Sequence, residues 1–114
     1  MDPWYSLGSA DMLEVAHMGL HVAQMTSPAQ MGACFDAVTV NAAAVMGLAG
    51  YGIQVGHRAD CVLLQACDWV EAIRLRANRL LVLRHGQVIA QTPPASASLA
   101  LPGRPSSVDW TLRR

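Results

Sequence analysis

Apolar and polar positions change their period partway along the chain, dividing it into a helical first half and an extended second half. From Ser9 to about Met25, placing residues at roughly 100° each gathers Met12, Leu13, Val15, Ala16, Gly19, Leu20, Val22 and Ala23 on an arc of roughly 180°. The remaining arc carries Asp11, Glu14, His17, His21 and Gln24. Ser9 is placed to cap the first turn, and Asp11 and Glu14 sit near its positive end. So wide an apolar arc exceeds what a surface helix buries in a small domain. The helix is therefore expected to be covered by something outside this chain. Ser27-Pro28 breaks the pattern, and a second helix is expected from Pro28 or Met31 to Leu48, with Phe35, Val38, Ala42 and Val45 on one face. Its alanines admit close approach of a neighbour.

Four glycines within the ten residues 47–56 then interrupt every helical period and mark a structured loop. Beyond it, "CVLLQ", "RLLVLR" and "QVIAQT" are short apolar or alternating runs that read as strands. The last two are joined by His85-Gly86, where the glycine supplies the positive φ of a tight hairpin and histidine tolerates it better than a β-branched residue. Between the first two, "ACDWVEAIRLRAN" allows one helical turn with Trp69 packed inward. From Pro93 onward the chain is rich in proline and serine and reads as an extended, weakly tethered tail, with Trp110 placed to pin its end. The pattern is that of an α+β unit.

Composition narrows the function classes. A hydrophobic content of 53% excludes disorder for the bulk of the chain. Eight basic residues balance eight acidic ones without a run of like charge, so there is no electrostatic footprint for nucleic acid or an anionic membrane. The most apolar window is broken by Asp36 and Asn41, too weak for a membrane span, and no signal peptide is visible. Cys34, Cys61 and Cys67 form neither a CxxC nor an even framework, which fits reduced, structural thiols and a cytoplasmic location.

Candidate chemistry begins with His17 and His21, four apart on the first helix. That spacing lets two imidazoles reach one metal, but zinc needs three or four ligands, and the zincin pattern requires glutamate where Met18 stands. Solvation or local hydrogen bonding is their plain reading, and a weak surface metal site completed by Glu14 or Asp11 is the alternative. No GxSxG elbow, Walker A loop, GxGxxG loop or small zinc-deaminase signature occurs. Nor does any spacing pair Cys34 or Cys61 with a histidine. The residues alone yield no catalytic constellation.

The stretches "DPWYSLG", "MLEVAHMGLHVAQM", "YGIQVGHRADCVLL" and "VLRHGQVIA" together resemble the C-terminal quarter of bacterial cytosine deaminases and their close relatives in the amidohydrolase superfamily, including triazine-ring amidohydrolases. The likeness runs from Asp2 into the tail, where "VDWTLRR" is similar to the family's ending. It implies a TIM barrel with a small β-sandwich domain built from both chain ends. Residues 1–50 would then be the end of the barrel, the loop and helices after its eighth strand. Residues 51–92 would be part of the β-sandwich, and 93–114 the C-terminal tail.

For the intact enzyme the resemblance implies a small heterocyclic substrate, hydrolytic loss of ammonia from a ring carbon, and a divalent metal, iron or zinc, that activates water. The family's metal-binding aspartate lies a few residues before the position of Asp2, and its other ligands lie earlier. No catalytic residue, metal ligand or cofactor is thus expected within this chain, and His17 and His21 match family histidines that are not ligands. Trp4 matches the family's tryptophan beside the substrate ring; a loop tryptophan packed for stability is the other reading. Asp2 and Tyr5 read as loop-shaping residues. Ser6 replaces a frequent proline, and Gly56, Ala59 and Asp60 read as a structural turn into a strand.

Two further expectations follow. A free chain of this sequence, the product of a truncated gene, a pseudogene or a misplaced start, should not hydrolyse substrate. The alternatives are a non-catalytic interaction module or oligomer paired through the first helix, and a split-enzyme subunit whose missing N-terminal barrel comes from another polypeptide.

Overall fold

The computed structural model describes residues 8–106. Helix α1 spans Met12–Val22. Its cap is Asp11 and not Ser9: Asp11 takes extended backbone, and its carboxylate accepts the Leu13 amide at 2.8 Å. Ser9 instead donates from its amide and hydroxyl to Glu14 Oε2, at 3.1 and 2.8 Å. Asp11 thus meets an unsatisfied helix N–H, and Glu14 adds negative charge in the first turn.

The expected second helix is two helices. Helix α2 spans Pro28–Ala37, with proline in its first turn and a capping box in which Ser27 and Gln30 bond each other's amides. It stops at Val38, and a short helix α3 follows at Val40–Val45. The break lies in a run of three β-branched residues, Val38-Thr39-Val40, which crowd a helix at χ1. Thr39 also turns its hydroxyl back to the Phe35 carbonyl at 2.8 Å, a side-chain bond that competes with the helical ladder. The face predicted across the break is accordingly not continuous: Val45 is 90% exposed while Ala43 is buried.

The ambiguous stretch forms α4, Trp69–Leu75, longer than the single expected turn. Asp68 caps it by accepting the Glu71 amide at 2.8 Å, and Glu71 reaches back to the Cys67 amide at 2.8 Å. This near-reciprocal pair, Asp then Glu three residues on, is a helix start readable from sequence. Arg76 ends the helix in the left-handed region at φ 50°.

Helix α4 lies in the connection between strands β1, Cys61–Leu64, and β2, Arg79–Arg84; strand β3 is Gln87–Gln91. The three form an antiparallel sheet in the order β1-β2-β3, with irregular register at Leu63/Leu64 and at Val82/Leu83. All three expected strands are present, and the hairpin has φ of 51° at His85 and 76° at Gly86, the two positive values that a type I′ turn needs.

Helices α1, α2 and α4 pack on one another around Leu13, Ala16, Leu20, Cys34 and Ile73. Small residues set the spacing. A Cβ on Gly32 would stand 3.5 Å from the Trp69 ring, ordinary contact, so only a small residue there lets α4 lie this close to α2. Trp69 is turned inward as expected, 6.4 Å from the Phe35 ring between centroids, and stays partly exposed. The sheet reaches this cluster through Leu64, and an Arg79–Asp11 ion pair ties the start of β2 to the cap of α1.

The described part of the tail is better held than expected. The Gln65 side chain donates to the Ala95 carbonyl at 2.7 Å and accepts the Ala95 amide at 2.9 Å, and the Leu99 amide donates to Ser106 at 2.8 Å. A primary amide matches the backbone donor and acceptor of one extended residue, which proline and serine content does not reveal. Trp110 lies outside the described residues.

Candidate functional site

Trp4, the one substrate-contact residue expected from sequence, lies outside the described residues together with Asp2, Tyr5 and Ser6. An open polar hollow of about 330 Å³ is lined by Ser9, Asp11, Glu14, Leu75 and Arg76. The two Ser9 hydrogen bonds hold the Glu14 carboxyl below its ordinary range, and Arg76 and His17 add smaller attraction. Both acids here are already engaged, Glu14 by Ser9 and Asp11 by Leu13 and Arg79.

A smaller and more apolar cavity of about 130 Å³ opens between α1 and α4, lined by His17, Leu20, His21, Met25, Thr26, Met31, Val70 and Arg74. His17 is half-buried, and its Nδ1 faces the Ile73 carbonyl at 3.2 Å; opposite an acceptor, that nitrogen carries the proton. The His17 and His21 rings meet edge to face, with centroids 4.6 Å apart, and His21 is exposed. His17 is therefore neither simply solvated nor locally bonded: it joins two helices 56 residues apart in sequence. Helical spacing placed both histidines in the polar stripe, and only the docking of α4 shows what that stripe faces. Arg74 and Met31 went unnoticed because neither has a sequence pattern marking it as cavity lining.

The alternative surface metal site does not assemble. Among the described residues, no three histidine, cysteine, aspartate or glutamate side chains converge to hold an ion, and the carboxylates that would complete it are those engaged above. These residues do not fit the family's metal.

Cys34 and Cys67 also lack a nucleophile's surroundings. Cys34 is buried, with its thiol 3.2 Å from the Ala16 carbonyl. A hydrogen bond with Glu71, with burial and the acidic neighbours adding to it, pushes the Cys67 thiol up, so the thiolate is disfavoured. Asp60 does structural work: its carboxylate accepts the His85 amide at 2.7 Å, and the Gly86 amide reaches the Ala59 carbonyl at 3.1 Å. The turn entering β1 is thus strapped to the β2–β3 hairpin, with Gly56 upstream at φ 88°.

No helix among the described residues is long and apolar enough to cross a membrane. Residues 1–90 match the amidohydrolase family. An N-isopropylammelide isopropyl amidohydrolase from Pseudomonas sp. strain ADP is 31% identical over 79% of this chain and 23% of its own length. A pterin deaminase from Rhizobium rhizogenes is 33% identical over 82% of this chain and 21% of its own. Among solved structures, 5-methylcytosine deaminase from Klebsiella pneumoniae superposes with a TM-score of 0.74 at 37% identity, over 82% of this chain and 23% of that one. The N-isopropylammelide isopropylaminohydrolase of Burkholderia multivorans gives 0.73 at 36%, over 79% and 23%. The chain thus spans about a quarter of the length of these relatives, in the same arrangement of helices and strands. It belongs to the amidohydrolase family.

Proposed function

We propose that this chain is the C-terminal part of a hydrolase that removes an amino group from a nitrogen heterocycle, and that it does not catalyse the reaction alone. The observation that carries this reading is the agreement of relatives at 31 to 37% identity. Those relatives are named for ammelide, pterin and 5-methylcytosine, each a nitrogen heterocycle.

In this reading residues 1–50 complete the barrel, 51–92 contribute to the small β-sandwich and 93–114 form the tail. Trp4 lies against the substrate ring, giving a flat apolar wall that orients it. The family's divalent metal, iron or zinc, is held by residues other than those described here and supplies the activated water. The enzyme is cytoplasmic, with no nucleic-acid or membrane partner.

The test is a chimera in which this chain replaces the matching last quarter of the Klebsiella enzyme, assayed for ammonia release from 5-methylcytosine beside the 114-residue chain alone. The chimera should turn over, Trp4→Ala should raise its KM, and the chain alone should release no ammonia. A soluble, metal-loaded chimera without activity would overturn the reading.

A further inference from the structure

The cavity of about 130 Å³ between α1 and α4 gathers two imidazoles and two thioethers that no step of the proposed hydrolysis uses. His17 and His21 come from α1, Met25 from the turn after it and Met31 from α2, and all of them line this one space. Thioether sulfur lies outside the histidine, cysteine and carboxylate set that fails to converge here, and it changes which ion the cavity suits. Both methionines are packed against the core. Core packing accounts for the methionines but not for the two imidazoles set beside them.

The geometry and charge of the cavity select the ion. His17 donates from Nδ1 to the Ile73 carbonyl, so its Nε2 keeps a lone pair, and a backbone carbonyl on the other nitrogen is how ligating histidines are commonly fixed. The two histidine ring centroids are 4.6 Å apart, whereas two imidazoles bound at about 2 Å to one tetrahedral ion would stand about 5 Å apart. Small rotations of the rings close that difference. No carboxylate or thiol lines the cavity, and its one permanently charged liner is the Arg74 guanidinium, 3.5 Å from Glu71. Neutral donors beside a cation disfavour a divalent ion such as zinc, while thioether and imidazole together suit monovalent copper. We propose that His17, His21, Met25 and Met31 form a binding site for Cu(I) that clamps α1 to α2. The site rests on the packing of these helices and not on the proposed hydrolysis.

The experiment is an anaerobic titration of the zinc-loaded chimera with Cu(I) buffered by the chelator bicinchoninate, after exposed thiols have been capped with N-ethylmaleimide. Thermal melts with and without copper accompany it. The chimera should draw copper from the chelator and gain several degrees in melting midpoint, because an ion bound only by the folded state stabilises it. Met25→Leu/Met31→Leu nearly conserves volume; it should keep the copper-free midpoint and lose roughly tenfold or more in affinity. His21→Ala, at an exposed position, should weaken binding to a similar extent. Excess zinc should displace none of the copper. Copper left entirely on the chelator by the folded chimera would overturn the site. So would leucine variants that bind as tightly as wild type, or displacement of the copper by zinc. A folded chimera that binds copper in this way but releases no ammonia bears on the proposed function alone.

Discussion

At the scale of single residues, the informative side chains join distant backbone. Asp60 accepts an amide 25 residues away, and that bond is the main reason its carboxyl is held below the ordinary 3.8 of an aspartate, against an opposing effect of burial. Glu14 is lowered likewise by Ser9. A carboxylate whose folded pKa is depressed contributes stability that is present above its unfolded pKa and lost as pH falls through its folded value. The melting midpoint should therefore drop as pH falls below about 4. Asp60→Asn, which cannot change charge, should flatten that dependence in thermal melts from pH 6 to pH 2.5; an unaltered slope would refute the assignment. The histidines should separate as their surroundings do. His17→Ala removes one of two donors to the Ile73 carbonyl, leaving the Arg76 amide, and should cost about 1 kcal/mol. His21→Ala, at an exposed position, should stay within about 0.5 kcal/mol of wild type; both variants are compared by urea unfolding within the chimera.

At the scale of elements, the start of α2 and the hairpin turn were legible because their signals lie within a few residues of where they act. Ser27-Pro28 with Gln30 starts α2, and His85-Gly86 turns the hairpin. What stayed hidden was how elements approach. Gly32 reads in sequence as a weak point inside a helix, yet it faces the Trp69 ring, where the space left is that of a single methyl group. Gly32→Ala brings a methyl to ordinary contact at 3.5 Å and should stabilise α2 by roughly 0.5–1 kcal/mol through the unfolded chain. Gly32→Leu should displace Trp69, visible as a red shift of its emission relative to Gly32→Ala. An unshifted spectrum would mean that α2 and α4 do not meet there. The break at Thr39 was hidden for a different reason: Phe35, Val38, Ala42 and Val45 keep helical spacing across it, and spacing is silent about the dihedral angles between.

At the scale of the whole molecule, the described residues enclose a small core. Ile73 is the one large side chain among them that is fully buried, while apolar residues on α1, on both sheet faces and before β1 meet solvent. Around so small a core, apolar side chains left half exposed on several elements give the free chain uncovered apolar surface. The isolated chain should bind an apolar dye such as anilinonaphthalene sulfonate at neutral pH and unfold over a broad range, and embedding it in the chimera should abolish most of the dye signal. A sharp, dye-free transition of the isolated chain would contradict that expectation. The excess was legible in the arc of α1, since amphipathic width follows from composition and a fixed 100° step, and the family likeness was carried by residues adjacent in sequence. Helix and strand identities, caps and the hairpin turn are likewise decided by neighbours a few positions apart. Which half of that arc is filled, what His17 faces and what Asp60 straps depend on contacts 25 to 56 residues apart. Those contacts follow from how α1, α2 and α4 exclude water from one another, and a one-dimensional pattern holds no record of that packing.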